Sequence, residues 1–319
     1  MKNRLLSIIL VIAMLLAFAS CSSTNDNQAS GNATKEPAGT SAQLPTEDRA
    51  GNKITVPEKI NSIISLAPAI TETLVALGLG DSIIAIDTNS VGLDGVKADI
   101  PAFDLMNPDA EQLANLNPSI IMVSGISMVN GEDPFKPITD LGICVACIPT
   151  SSSIQAIRED ISFIAQVTKT EDKSKEIISE MDAEIEKIQN IGKTIKDEDK
   201  KTVYFEIAAA PYIYSFGSGV FLNEMIEIIG AKNVFADQKD WISVEAEVAI
   251  NTNPDVILTN VNYIEKPCDE ILSRSGWENM DAIKNKQVFY IDNFSSSLAN
   301  QNIVKALKEM AKAVYPELY

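Results

Sequence analysis

Residues 151–191 carry the longest sustained helical periodicity in this 319-residue chain. Ile154, Ile157, Ile161 and Ile164 recur at three- and four-residue steps, and Ile177, Ile178, Met181, Ile185 and Ile188 repeat the pattern. Ser151, Ser152 and Ser153 offer an N-cap, and Thr170-Glu171-Asp172 offers a restart after a break near Lys169. The segments on either side read as two versions of one plan. Such a chain is expected to fold as two similar lobes joined by a helix.

The plan is an alternation of strands and helices. Before the long run, strands are expected at 62–66, 83–86, 119–123 and 143–148, with helices at 69–77, 108–116 and 135–141. After it, strands are expected at 202–207, 255–259 and 287–291, with helices at 220–229, 244–251 and 298–314. This alternation implies an α/β fold of two Rossmann-like lobes, each a parallel sheet with helices on both faces. Gly78 and Gly230 stand where helices stop. Gly78-Leu79-Gly80 follows a helix and lacks a third glycine at the right spacing, so it is no dinucleotide fingerprint.

A degenerate repeat supports the two-lobe reading. In the first half Asn107, a capping residue, stands four before Glu111, and Glu111 stands seven before Pro118. In the second half Ser243, Glu247 and Pro254 hold the same spacings. Each Pro ends a helix and opens a strand, and an aromatic, Phe103 or Trp241, precedes each motif.

The two ends of the chain differ in composition. Lys2 and Arg4 precede an apolar run and the small residues Ala19 and Ser20, which describes a secretory signal over residues 1–20. Cys21 follows, in the manner of a lipobox cysteine that becomes lipidated, although Phe18 replaces the usual Leu. Residues 21–46 form a Ser-, Asn-, Thr- and Gly-rich tether. The N-terminal lobe is expected at 47–150, the bridging helix at 151–195 and the C-terminal lobe at 196–319.

Removing residues 1–20 leaves 24 basic against 44 acidic side chains, a net charge of −20. That balance argues against nucleic acid and against direct binding to anionic headgroups. It suits a partner with basic loops. Cys144 and Cys147 lie three apart on a strand, so they point to opposite faces and are expected as buried thiols rather than a disulfide.

At these residues the chain resembles the substrate-binding proteins of ABC importers for iron–siderophore complexes, haem and cobalamin. The matching segments include Ile63-Ile64-Ser65-Leu66-Ala67-Pro68-Ala69, Leu77-Gly78-Leu79-Gly80-Asp81, Gly230-Ala231-Lys232-Asn233-Val234 and Asn253-Pro254-Asp255-Val256-Ile257. The resemblance covers the chain from Glu47 to its end. It implies two α/β lobes bridged by one long helix, the helical-backbone periplasmic-binding-protein fold, with ligand held between the lobes. It implies a monomer, anchored by lipid on the outer side of the cell membrane, that serves a permease and its ATPase. It also implies that Glu111 and Glu247, one per lobe, dock onto permease arginines. Two carboxylates on separate lobes can report lobe spacing to a basic partner, and charge-assisted pairing to Arg fixes geometry.

Ligand contacts are expected on loops at the C-terminal ends of the strands, where open parallel sheets bind. Those loops hold Pro68, residues 88–90, the run from Phe103 to Met106 and residues 124–128 in the first lobe. In the second they hold Tyr212, Tyr214, Trp241, Asn260 and its neighbours to 263, with 294–297 nearby. Aromatics beside polar tips suit a broad chelate.

Two scarcities narrow the ligand. There is no His, so imidazole ligation of haem or a bare metal is impossible, and haem ligation would fall to Tyr or Met. Only Arg49, Arg158 and Arg274 remain after residue 20. Where the family often has a Pro-Arg pair before the last helix, this chain has Ser297-Leu298-Ala299-Asn300-Gln301-Asn302. A neutral or cationic complex, either a corrinoid or a hydroxamate ferric siderophore, is therefore expected over a triply charged catecholate. The alternatives are a binding protein for a free metal or another small nutrient, and an exported α/β enzyme. The enzyme lacks a base–nucleophile constellation. Asp87 and Asp104 read as solvated loop acids, and no catalytic residue, resident metal or covalent cofactor besides lipid is expected.

Overall fold

The structure, a computed structural model, describes residues 44–125 and 133–319. Cys21 and the tether up to residue 43 lie outside the described residues, as do residues 126–132.

In the first lobe, β1 (Ile63–Leu66), β2 (Ile83–Asp87), β3 (Ala102–Phe103), β4 (Ile120–Ser124) and β5 (Cys144–Ile148) pair in parallel in the order β3-β2-β1-β4-β5. Every residue of β1 and β4 is buried, as expected for central strands covered on both faces. Alternate residues feed two cores. Ile63, Ile120 and Cys144 join one, while Ile64, Ile121 and Cys147 join the other. Helix α1 (Pro68–Ala76) packs on the first face, and α2 (Ala110–Asn115) and α3 (Lys136–Asp140) pack on the second. Both cysteines are free and buried, and burial, helped by Asp48, pushes each thiol up to about 11. The fold reaches back to Leu44, which packs on the first-lobe core, so the end of the expected tether is structured.

Residues 151–195 are two helices, α4 (Ile154–Thr168) and α5 (Glu171–Gly192), not one. Ser153 caps the first through Ala156 N at 3.0 Å. Lys169 adopts the left-handed conformation at φ 58°, which reverses the chain. Arg158 pairs with Asp182 at 2.7 Å, two residues at near-equal distance from that turn, so the helices lie antiparallel. Both reach both lobes. Ile154, Ile157 and Ile161 of α4 join the second-lobe core, whereas Phe163, Ile164 and Val167 join the first. Along α5, Ile177 belongs to the first lobe and Met181, Ile185 and Ile188 to the second. The first helix therefore does not belong to the opening lobe alone, and α5, about 33 Å long, is the long bridge.

The second lobe holds β6 (Thr202–Glu206), β7 (Tyr214–Phe216), α6 (Phe221–Ile228), β8 (Lys232–Asn233), β9 (Trp241–Ser243), α7 (Ala246–Thr252), β10 (Val256–Thr259), α8 (Pro267–Leu272), α9 (Asp281–Lys284), β11 (Val288–Tyr290), α10 (Asn293–Ser297) and α11 (Ile303–Val314). Its parallel sheet runs β11-β10-β6-β8, beside an antiparallel ribbon β7-β9. The expected helix at 298–314 begins only at Ile303, because Leu298 is extended (φ −96°, ψ 115°) and divides α10 from α11.

Both halves stop a helix with the same device. Gly78 at φ 83° lets Leu79 N reach Leu74 O (2.9 Å), and Gly230 at φ 82° lets Ala231 N reach Ile226 O (3.0 Å). Gly230 also meets the end of α5. A Cβ on Gly192 would lie 2.3 Å from Ile228 O and 2.8 Å from Gly230 N, both backbone atoms that cannot rotate away. Tyr319 Oη donates across the same junction toward Ile188 O and Ile229 O, each at 3.1 Å. Gly192→Ala is expected to cost roughly 1–3 kcal/mol by forcing these backbones apart. Thermal unfolding of the variant checks this, and an unchanged midpoint would refute the close junction.

Candidate functional site

The strand order β3-β2-β1-β4-β5 reverses direction between β1 and β4. Open α/β sheets bind ligands at such a switch, beyond the C-terminal strand ends. A cavity of about 180 Å³ lies there. Ala67, Pro68, Ala69 and Ile70 line it after β1, Ser124 ends β4, and Ile148, Pro149, Thr150 and Ser151 close β5. Helix α4 supplies Asp160, Ile161 and Ile164, and the second lobe supplies Ser297, Leu298 and Ala299. The cavity is thus shared by the two lobes and the bridge.

Its walls are mainly apolar, and Asp160 is their one ionic side chain. Arg49 Nε donates to Asp160 Oδ1 at 2.6 Å, and Ser151 Oγ donates to Oδ2. Burial pushes the Asp160 carboxyl above its ordinary range, against the pull of Ser151 and Arg49. The strap that carries Arg49 is held by Asp48, whose Oδ2 accepts from Cys147 N at 2.8 Å. The N-cap of α1, Ala67, offers no side-chain acceptor, so an uncapped helix start opens onto the cavity.

In the second sheet the switch falls between β6 and β10. The loops after these strands meet where Tyr263 Oη accepts from Ala209 N at 2.8 Å. Tyr212 is 78% exposed, Tyr263 67% and Trp241 48%, and Tyr214 is also exposed. The ribbon register sets Trp241 opposite Phe216, with ring centroids 6.0 Å apart, edge to face. Phe216 is buried in the core, so it props the Trp241 ring at the surface. Asn260 is buried at the end of β10. Its Nδ2 donates to Ser296 Oγ (3.0 Å) and Ser297 Oγ (3.1 Å), and its Oδ1 has no partner among the described residues. Ser297 lines the cavity, so this amide links the aromatic edge to it.

Of the expected contacts, Pro68 lines the cavity. Tyr212, Tyr214 and Trp241 cluster at the second-lobe edge. Asn260 lies behind Ser297 rather than on the wall. Phe103 departs from expectation. It is half buried against the core built on Leu113 and Phe135, and Leu105 takes the place at the cavity. Met106 is exposed outside the lining, its N–H held by Asp104 Oδ1 at 2.9 Å. Asp87 is fully buried, not solvated; it accepts from Asn89 N at 2.8 Å and from Ser90 Oγ, and burial raises its pKa. Residues 149–151 could have been found by the strand-end rule. Asp160, Ile161 and Ile164 could not, because their spacing reads as ordinary core periodicity.

Glu111 and Glu247 occupy equivalent places. Each is the second residue of its helix, each is exposed, and neither side chain has a partner among the described residues. Each helix ends on an Asn in the left-handed conformation, Asn117 (φ 48°) or Asn253 (φ 41°), and then a Pro leads into central strand β4 or β10. A helix that feeds a parallel strand so directly ends at the strand's N-terminal edge. It therefore begins at the opposite edge, where the strands have their C-terminal ends. The caps are Asp109, which accepts from Gln112 N at 2.9 Å, and Glu245. Asn107 instead closes a turn on Asp104, and Ser243 pairs with Tyr214 in the ribbon.

The three arginines among the described residues are all engaged. Arg49 holds Glu159 and Asp160, Arg158 holds Asp182, and Arg274 holds Glu206 and Glu270.

Residues 63–293 match the model of the family described as periplasmic binding protein. The chain belongs to that family. This is the group of ABC-importer substrate-binding proteins that its segments resemble. It is 30% identical over 273 residues to the uncharacterized ABC transporter substrate-binding lipoprotein YvrC of Bacillus subtilis, covering 86% of each chain. It is 25% identical over 306 residues to the molybdate-binding protein MolA of Haemophilus influenzae, covering 85% of each. Among solved structures, a possible iron-binding (periplasmic solute-binding) protein from Staphylococcus epidermidis superposes with a TM-score of 0.70 at 30% identity. That match covers 81% of this chain and 100% of the other.

Proposed function

We propose that this periplasmic binding protein is anchored outside the cell membrane by lipid on Cys21. It delivers a metal chelate, a cobalamin-like corrinoid or a ferric siderophore, to an ABC permease and its ATPase. The ligand lies in the inter-lobe cleft, and Glu111 and Glu247 dock the lobes. The observation that carries the ligand class is the pairing of an apolar, hydroxyl-lined cavity with an exposed aromatic edge. Among the described residues no arginine is left over to grip an anion.

A cavity of about 180 Å³ is too small for a whole chelate, since pockets that enclose drug-sized ligands run to roughly 300–1,000 Å³. It suits one projecting arm, while Tyr212, Tyr214, Tyr263 and Trp241 take the broad face of the complex. The chain performs no reaction in this reading. It binds, presents and releases.

A thermal-shift screen tests the ligand class. Cyanocobalamin, cobinamide, haem, a neutral ferric hydroxamate, a ferric catecholate and molybdate form the panel. A ligand present at about 100 times its Kd stabilises by roughly 2.7 kcal/mol, a shift of several degrees. Corrinoid or hydroxamate is expected to give it, and the catecholate is not. A shift with the catecholate alone would sink the charge argument. A second reading, a small oxyanion, draws on the uncapped start of α1 and on the relative named for molybdate. A shift with molybdate alone selects it.

A further inference from the structure

Among the described residues the lobes touch directly through a polar cluster beside the cavity. Glu72, on α1 of the first lobe, accepts at Oε2 from Asn300 Nδ2 (2.6 Å) and from Asn302 Nδ2 (3.0 Å) of the second. Asn300 is fully buried, and its Oδ1 accepts from Asn302 N at 2.8 Å. Because that oxygen is occupied by an N–H donor, the other end of the amide must be the one facing Glu72. Gln301 adds a second layer. It accepts from Thr73 Oγ1 at 3.3 Å and donates to Glu72 O at 3.4 Å.

Both sides of this clasp carry cavity wall. On α1, Pro68 and Ala69 line the cavity, and Glu72 and Thr73 stand one turn further along the same face. In the second lobe, Ser297, Leu298 and Ala299 line the cavity and run straight into Asn300. The hydrogen bonds therefore pin together the two segments that face each other across the site. A carboxylate held by two amide donors is a charge-assisted contact, stronger than a neutral pair.

We propose that Glu72 is a positioning residue for the ligand cavity. Its clasp on Asn300 and Asn302 sets the distance between α1 and residues 297–299, and it is the contact that breaks when the lobes part. The α4–α5 hairpin limits how far the lobes travel, and the clasp selects the spacing within that range. This rests on the cavity being the ligand site, but the lobe spacing it asserts needs no ligand to test.

The test measures inter-lobe distance by pulsed electron paramagnetic resonance on the full chain without ligand. Labels go on Leu141→Cys in the first lobe and Lys312→Cys in the second, both exposed positions, with Cys21, Cys144, Cys147 and Cys268 replaced by alanine. The unmutated clasp is expected to give one narrow distance. Glu72→Ala is expected to add a longer-distance population of at least equal size. Glu72→Gln, which keeps an acceptor, is expected to retain the narrow peak. Asn302→Ala, which removes one donor at an exposed site, should fall between them. A Glu72→Ala distribution identical to the parent, or equal broadening in Glu72→Ala and Glu72→Gln, overturns the proposal. A failed ligand screen would bear on the ligand reading and leave this result standing.

Discussion

A chain carrying Glu111→Arg together with Glu247→Arg is expected to stop supporting uptake while binding its ligand with unchanged affinity. The two carboxylates lie in the first turns of α2 and α7, exposed and without side-chain partners among the described residues. Neither lines the cavity, so reversing them leaves its walls intact. Their helices begin at the C-terminal strand edge of each sheet, one on each lobe. A permease that pairs an arginine with each would sense both lobes at once. Reversal replaces each attraction with a like-charge repulsion, which costs more than simple loss of the pair. Single reversals should weaken docking without abolishing it, because the other lobe still engages. Uptake assayed with permease and ATPase in vesicles, beside a separate affinity measurement, gives the answer. Unchanged uptake, or affinity that falls in step with uptake, shows the docking assignment to be wrong. Raised ionic strength should weaken uptake by the unmutated chain, since exposed pairs are screened beyond about 10 Å at 0.1 M salt.

These two acids also show what was legible in the chain before its fold was known. Their spacing to Pro118 and Pro254 predicted equivalent places, and the structure gives each the second position of a helix. The alternation of strands and helices predicted both sheets, because buried parallel strands read as short apolar runs. Smaller pieces escaped. The ribbon β7-β9 has three residues per strand, too few to show a period. The break near Lys169 did not escape: the restart signal Thr170-Glu171-Asp172 marked it, and Lys169 makes it in the left-handed conformation. The closing helix was read too long because Leu298 and Ala299 continue an apolar pattern. Asn300, Gln301 and Asn302 interrupt it only through their contacts with Glu72 and Thr73 across the cleft. Within the run from Phe103 to Met106, which side chain faces the cavity was not legible for a related reason. The chain leaves β3 after Phe103, and alternation no longer assigns faces beyond a strand end. What sequence could not show was contact between residues more than two hundred positions apart, and the cavity is built from such contacts.

Arg274→Leu is expected to be the most destabilising single change in the second lobe. Arg274 grips Glu206 with two nitrogens, at 2.8 and 2.9 Å, and Glu270 with Nε at 3.0 Å. Its guanidinium lies 4.3 Å from the centre of the Trp277 ring. Glu206 is fully buried and also accepts from Tyr204 Oη at 3.1 Å. Burial works against the charge on Arg274, but the hydrogen bonds it donates to both carboxylates outweigh it and hold its pKa above the ordinary value. Removing the arginine leaves the Glu206 carboxylate in the core without a cation. Such a loss costs on the order of 3–5 kcal/mol, or roughly 10 °C in unfolding midpoint. The cost comes from the orphaned charge and not from the absence of a favourable pair. Arg274→Met combined with Glu206→Gln should therefore recover most of the loss, since a neutral amide can still accept from Tyr204. Thermal and denaturant unfolding of the single and double variants decide the matter. A single variant within 1 kcal/mol of the parent, by the scale of exposed pairs, would mean that the pair is solvated rather than buried. The position matters to function as well as stability. Glu206 ends β6, and the chain runs from it directly into the loop that carries Tyr212 and Tyr214. A carboxylate fixed by three hydrogen bonds, two from Arg274 and one from Tyr204, anchors that loop at the switch point of the second sheet. The double variant should thus separate two effects: it restores folding, and any remaining loss of ligand affinity measures how far the aromatic edge depends on the ion pair beneath it.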